Sequence, residues 1–212
     1  MSPSRVAVFG GTFDPFHLGH LAVAEQAREG VLADQVWVVP AGVPPHRGPV
    51  LAGPEDRLAM CRAAIEGHPA IAALDLELQR PGPSYTLDTM RDLGAGHPDT
   101  QLWVVLGADA ARQTSGWHEA AELLGTYHFV LVNRAGEAPI RHAEAIALGF
   151  LPDLTRVVGI DSPDISGTEI RRRVAAGEPL DGLVSPAVAA IIEERGLYRQ
   201  PPARRSAREP MS

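Results

Sequence analysis

The sequence has 212 residues, 45% of them hydrophobic and 21% charged; these are the proportions of a folded chain about one large domain long, and they exclude disordered and fibrous classes. Its 19 Lys and Arg against 26 Asp and Glu leave a formal charge of -7, so no overall positive field draws it to nucleic acid or an anionic membrane. A single cysteine, Cys61, permits neither an internal disulfide nor a cysteine zinc site, which makes a reducing cytoplasm the expected compartment.

Ser4-Arg5 leads straight into a β-branched run without the regions of a signal peptide, and no apolar run approaches the roughly 18 residues of a membrane span, so neither is expected. Residues 6–9 read as a buried strand and 18–31 as an amphipathic helix, followed by a strand over 36–39 and a helix over 55–65. Residues 73–78 alternate strictly between apolar and polar, which predicts an edge strand with one wet face. A helix over 85–93, a strand over 102–106, a helix over 118–124, a strand over 129–132 and a helix over 141–148 continue the alternation. It closes with a strand over 157–160 and helices over 168–175 and 186–194, Ser185-Pro186 forming an N-cap and N1 pair and Gly196 a C-cap. Strand and helix in turn predict an α/β fold: a Rossmann-like, doubly wound parallel sheet with helices on both faces, in a single domain over 1–199. Residues 200–212 carry three Arg and three Pro with little apolar content, the composition of a disordered tail.

The first strand is followed by Gly10-Gly11-Thr12-Phe13-Asp14-Pro15-Phe16-His17-Leu18-Gly19-His20. Strand, glycine turn and helix N-terminus together predict a phosphate site, with backbone N–H groups approaching the ligand unhindered. His17 and His20 are three apart on the first helical turn, so both imidazoles face one small volume, with Gly19 leaving room. Two imidazoles over a phosphate stabilise charge on transferring and leaving oxygens, which points to nucleotidyl transfer. The alternative is a surface metal chelate, but no third ligand is near in sequence and the i,i+4 spacing of zincins is missing. Neither a Gly-Lys-Ser/Thr P-loop ending nor a Gly-x-Gly-x-x-Gly fingerprint is present.

The motif Gly-Gly-Thr-Phe-Asp-Pro-x-His-x-Gly-His resembles the signature of the His-x-Gly-His nucleotidyltransferases, and within them of bacterial nicotinate mononucleotide adenylyltransferases; the resemblance runs from Val6 to Arg199. It implies that His17, His20 and Arg171 are catalytic, with Gly10, Gly11, Thr12, Phe13, Asp14, Gly107, Asp109, Ser166 and Thr168 holding ATP. Nicotinate mononucleotide would meet His46, Arg47, Tyr85, Thr86, Trp117 and Arg134. His46 and Arg47 end the run Pro44-Pro45-His46-Arg47, which by itself reads equally well as a rigid loop with solvated charges. Arg57, on the next helix, is as readily a solvated helix Arg. Ser84 can cap the helix that Tyr85 and Thr86 open, and a carboxylate fits the same N-terminus. Gly107-Ala108-Asp109 ends a strand, where Asp109 can accept ribose hydroxyls, and Trp117 offers a face to a pyridinium ring. Trp37 and Trp103 belong to the core. Ser166, Thr168 and Arg171 make a clamp for the β- and γ-phosphates, although Ser166 and Glu169 also read as a capping box and Arg172 and Arg173 as solvated. Where the family has Arg-Pro-Gly, this chain has Arg134-Ala135-Gly136, and Gly167 stands where Ser is common.

The implied reaction moves AMP from ATP to nicotinate mononucleotide, with Mg²⁺ delivered by ATP and no protein metal site. The implied partners are these small molecules, with neither nucleic acid nor membrane. The competing readings are another transferase of the same superfamily, such as a phosphopantetheine adenylyltransferase or a cytidylyltransferase, and a nucleotide sensor that binds ATP without turnover.

Overall fold

Side chains on alternate positions of the central strands enter two different cores, and this alternation organises the whole chain. The computed structural model describes residues 4–44, 50–134 and 138–199; the tail expected at 200–212 lies outside them. Strands β1 (Ser4–Gly11), β2 (Gln35–Pro40), β3 (Ile71–Ala73), β4 (Thr100–Gly107), β5 (His128–Asn133) and β6 (Thr155–Gly159) form one sheet, every pair parallel. Their order is β3-β2-β1-β4-β5-β6.

The helices are α1 (Leu18–Gly30), α2 (Pro54–Ala64), α3 (Leu76–Gln79), α4 (Thr86–Gly96), α5 (Ala108–Gln113), α6 (Ala120–Thr126), α7 (His142–Ala147), α8 (Gly167–Ala176) and α9 (Pro186–Glu194). Phe9, Val38, Val105 and Val132 pack on one face against Val23 of α1, Met60 of α2, Ile170 of α8 and Val188 of α9. Their strand neighbours Val8, Val39, Leu106 and Leu131 pack on the other face against Met90 of α4, Ala111 of α5, Leu123 of α6 and Ala145 of α7. A sheet covered on both faces needs apolar residues at every strand position, which is why its strands read as unbroken apolar runs. Trp37 and Trp103 are buried in it as expected.

Adjacent strands β1 and β4 send their following helices to opposite faces, α1 to the first core and α5 to the second. Such a switch point leaves a crevice beyond the C-terminal ends of the strands. The expected edge strand over 73–78 is corrected. Pairing with β2 stops after Ile71, Ala72 and Ala73, and the chain turns into the single helical turn α3. Glu77, expected on a wet face, is buried, because its carboxyl group is satisfied by hydroxyl donors, among them Thr89 Oγ1 at 2.6 Å. Six alternating residues are too few to separate a strand from a turn and a short helix when a polar position is satisfied internally.

At the other end of the chain, Ser185 Oγ accepts from the Val188 N–H at 3.3 Å with Pro186 at the first helical position, and Gly196 adopts a left-handed φ of 60° beyond α9. Ser185→Ala is expected to lower the unfolding free energy by about 1 kcal/mol. In urea titrations this appears as a lower midpoint at unchanged slope.

Candidate active site

The crevice begins where β1 ends. Gly10 and Gly11 are not the turn; they continue the strand opposite Val39 and Pro40. The turn is made by Phe13, whose φ of 50° is left-handed, and by the cis Asp14-Pro15 bond. Gly11 is needed for a different reason: a Cβ there would lie 2.7 Å from the Phe13 ring. The Phe13 side chain is buried against Phe9, Phe16 and His20. The Asp14 carboxylate is likewise occupied, accepting from the N–H groups of Leu51 (2.8 Å) and Ala52 (3.1 Å) and from the Tyr198 hydroxyl (2.7 Å). Phe13 and Asp14 therefore face the crevice chiefly with their backbone.

His17 is the N-cap of α1, and its Nδ1 accepts from the His20 N–H, while His20 Nδ1 accepts from the His17 N–H, each at 3.3 Å. The rings stack with centroids 3.6 Å apart and planes 19° apart. This corrects the expectation of unpaired donors at the start of α1: the N–H groups of His17 and His20 serve the two imidazoles, and that of Leu18 bonds the Leu183 carbonyl at 2.9 Å. Because each Nδ1 is an acceptor, the proton of a neutral ring sits on Nε2, which makes that atom a donor. His17 is 4% exposed, and burial, helped by the charge of Arg134, lowers its pKa to about 4. It is a neutral hydrogen-bond donor at neutral pH. Gly19 does leave room, and against His17 itself: a Cβ there would lie 3.1 Å from His17 Nδ1 and 3.3 Å from the Pro163 carbonyl oxygen.

The loop after β2 forms the next wall. Ser84 is not a helix cap; Tyr85 occupies that position, and the Ser84 hydroxyl oxygen instead accepts from the N–H groups of Gly42 (2.9 Å) and Val43 (3.2 Å). Arg57 is not solvated. It is 1% exposed, and its Nη1 donates to the Thr12 carbonyl at 2.8 Å. A cavity of about 300 Å³ opens between these loops, lined by Thr12, Tyr85, Thr86, Asp109, Trp117 and His118 among others. The Tyr85 and His118 rings in this lining stack on each other with centroids 4.3 Å apart. Arg91 of α4 holds this wall from outside through Glu119 (3.0 Å) and Glu122 (2.6 Å).

A second cavity of about 560 Å³ shares Gly11, Thr12, Asp109, Ala110 and Trp117 with the first, so the two form one bent cleft. It takes in His17, His20, Gly10, Gly107, Arg134, Ser166, Thr168 and Arg171. Asp109, in the first turn of α5, lies 3.7 Å from Arg134 Nη2. A Cβ on Gly107 would stand 2.8 Å from the Asp109 carboxylate, so the glycine lets that group fold back over the strand end. Arg171 donates from Nη1 to the Asp14 carbonyl at 2.6 Å and from Nη2 to Thr168 Oγ1 at 3.1 Å. Ser166 caps α8 by accepting from the Glu169 N–H at 3.2 Å, but Glu169 does not complete the capping box, its carboxylate being held by Arg172 and Arg173.

Of the expected site residues, only His46 and Arg47 lie outside the described residues; the others line the cleft, with Phe13 and Asp14 turned inward as above. Sequence reasoning missed His118, Gln113 and the inward position of Arg57. Pro163, Asp164 and Ile165 also line the cleft, and the proline- and glycine-containing loop over 162–167 was the sequence signal for them. Nothing local distinguishes a buried Arg from a solvated one.

His17 gives the site a pH signature. Below pH 6.5 the unfolded chain protonates this imidazole while the folded chain refuses the proton until about pH 4. Stability is therefore lost as pH falls through that window, by up to about 3 kcal/mol. His17→Asn retains a capping side chain, so the slope of unfolding free energy between pH 6.5 and 4 should flatten in urea titrations of that variant.

Comparison with known proteins identifies the group to which the chain belongs. The cytidylyltransferase-like family model matches residues 8–173. A protein of Roseiflexus sp. (strain RS-1) named "Probable nicotinate-nucleotide adenylyltransferase" is 41% identical over 205 residues, covering 94% of this chain and 100% of that protein. One of the same name from Desulfitobacterium hafniense (strain Y51) is 38% identical over 201 residues, covering 93% and 97%. Among solved structures, the nicotinic acid mononucleotide adenylyltransferase of Plasmodium falciparum complexed with NaAD superposes with a TM-score of 0.78 at 20% identity, over 92% of this chain and 97% of that one, a likeness of fold. With family and full-length relatives in agreement, the chain belongs to the cytidylyltransferase-like family and, within it, to the nicotinate-nucleotide adenylyltransferases.

Proposed function

We propose that this chain transfers AMP from ATP to nicotinate mononucleotide, releasing pyrophosphate and forming nicotinate adenine dinucleotide for NAD biosynthesis. The observation that carries the reading is the stacked His17 and His20 pair, which lines one limb of a cleft whose other limb is lined by Tyr85, Thr86 and Trp117. One limb takes the nucleoside triphosphate and the other the pyridine ring, so the two phosphates meet where the limbs join.

The attacking 5'-phosphate has its second pKa near 6 and is already largely dianionic, so the reaction needs no general base. One of its oxygens forms a bond to the α-phosphorus of ATP as the bond from that phosphorus to the bridging oxygen breaks, and pyrophosphate leaves with the electron pair. Catalysis is then positioning of an in-line attack together with electrostatic stabilisation. The Nε2–H groups of His17 and His20 donate to oxygens of the transferring phosphate. Arg171 and Thr168 hold the β- and γ-phosphates, and Ser166 adds a hydroxyl. Gly10, Gly11, Thr12 and the backbone of Phe13 and Asp14 line the nucleotide limb, with Gly107 and Asp109 beside the ribose. Tyr85, Thr86 and Trp117 take the nicotinate ring, and Arg134 balances the charge gathered near Asp109. His46 and Arg47 remain assigned to the mononucleotide phosphate on the strength of the Pro-Pro-His-Arg motif.

Mg²⁺ would arrive with ATP, held mainly by phosphate oxygens and water, and would neutralise triphosphate charge. Among the described residues no group of three His, Cys, Asp or Glu side chains is placed to hold a metal. No helix among the described residues is long and apolar enough to cross a membrane. The cytoplasm is the compartment we assign, since the single cysteine, Cys61, is buried and unpaired.

Pyrophosphate release with ATP and Mg²⁺ tests the reading, with nicotinate mononucleotide, nicotinamide mononucleotide and phosphopantetheine compared side by side. Turnover with the nicotinate compound is expected; turnover with phosphopantetheine alone, or with no acceptor, overturns it. His17→Ala should cut turnover roughly 10²-fold while ATP still binds. Trp117→Ala should raise the KM for nicotinate mononucleotide roughly 2- to 30-fold through the lost cation–π contact.

A further inference from the structure

Asp14 is a junction between the crevice and the far end of the chain. On its inner side the Asp14 carbonyl accepts from Arg171 Nη1 at 2.6 Å. On its outer side the carboxylate accepts from the N–H groups of Leu51 and Ala52 and, at 2.7 Å, from the hydroxyl of Tyr198, 184 positions later. Arg57 fixes the same loop through the Thr12 carbonyl. Tyr198 reaches Asp14 from a left-handed backbone with φ of 60°, a conformation that a bulky side chain rarely adopts and that only compensating contacts maintain. Its ring packs against the core on the face that holds Met60, and burial and the neighbouring Asp14 both keep its phenol protonated as a donor.

We propose that Tyr198 is a positioning residue for the leaving group: its hydroxyl anchors the Asp14 carboxylate, which holds the Asp14 peptide carbonyl against Arg171 and so aims that guanidinium at the β- and γ-phosphates. The inference rests on the function proposed above. The chemistry recognised is that of a pyrophosphate group, which both ATP and the product pyrophosphate present. The Arg171 guanidinium is directional, so a loosened carbonyl partner lets the fork rotate and costs affinity for that group without touching the pyridine limb.

The test is a double-mutant cycle on the full-length chain. Tyr198→Phe keeps the ring and removes only the hydroxyl; Arg171→Met removes the guanidinium. Binding of inorganic pyrophosphate, measured by calorimetry, should weaken about tenfold in Tyr198→Phe and further in Arg171→Met. In the Arg171→Met background the second substitution should change binding by less than about twofold, because its target is gone. The kcat/KM for ATP should follow the same pattern, with the KM for nicotinate mononucleotide unchanged. A merely structural Tyr198 would lower the melting temperature and leave these constants, per folded molecule, where they were.

Additive effects in the cycle, an unchanged pyrophosphate affinity in Tyr198→Phe, or a parent chain that does not bind pyrophosphate would overturn the proposal. If Tyr198→Phe loses its cooperative melting transition, Asp14→Asn takes its place, since it weakens the same anchor and leaves the peptide carbonyl in place. A parent chain that binds pyrophosphate but releases none from ATP overturns the adenylyltransferase reading instead, and the binding cycle still decides the role of Tyr198.

Discussion

A buried carboxylate must be given hydrogen-bond donors or the fold loses the free energy of desolvating it. Asp14 is 8% exposed, and its donors come from the loop after β2 and from the end of the chain beyond α9. Meeting that single requirement brings together segments that share no sheet pairing: the turn after β1, the approach to α2 and the C-terminal Tyr198. The Asp14 carbonyl then adds α8 through Arg171. The cleft thus has its walls fixed by one satisfied charge as much as by the sheet beneath it.

The second constraint is electrostatic. On the proposed function, a chain of charge -7 has to bind a triphosphate and a mononucleotide phosphate, and its global field opposes this. Local arrangement offsets the repulsion. Arg134, Arg171 and the two imidazoles line the same limb of the cleft, where Asp109 lies 3.7 Å from Arg134 Nη2; the Asp14 carboxylate is engaged by backbone and phenol, and that of Glu169 by Arg172 and Arg173. His17 acts as a neutral donor because burial and the Arg134 charge prevent its protonation, so it supplies direction rather than charge. Preorganised dipoles of this kind need no rearrangement as charge moves to the leaving group.

The doubly wound sheet was legible in the strand and helix periods, because each strand covered on both faces has to be apolar throughout, and five separated apolar runs cannot hide that pattern. The stretch 73–78 misled for the converse reason: Glu77 looked wet by spacing, whereas Thr89 and the loop before α4 satisfy it inside. The histidine pair was legible from its motif and its spacing of three. Its reciprocal capping was not, since either imidazole could have been satisfied by solvent, and only the stacked geometry shows that the helix start spends its own N–H groups on them.

By itself the sequence determined the fold class, the place of the cleft at the end of the first strand, and most of the residue types that line it. These follow from local periodicity and from short motifs whose members are neighbours in the chain. The tertiary structure decided the rest: that Arg57 is buried, that Asp14 faces away from the cleft and answers to Tyr198, that Ser84 holds a loop instead of capping a helix, and that His17 is neutral. Each of those depends on which distant groups supply donors and exclude water, and a one-dimensional pattern carries no record of burial or of partners brought together only when the sheet closes.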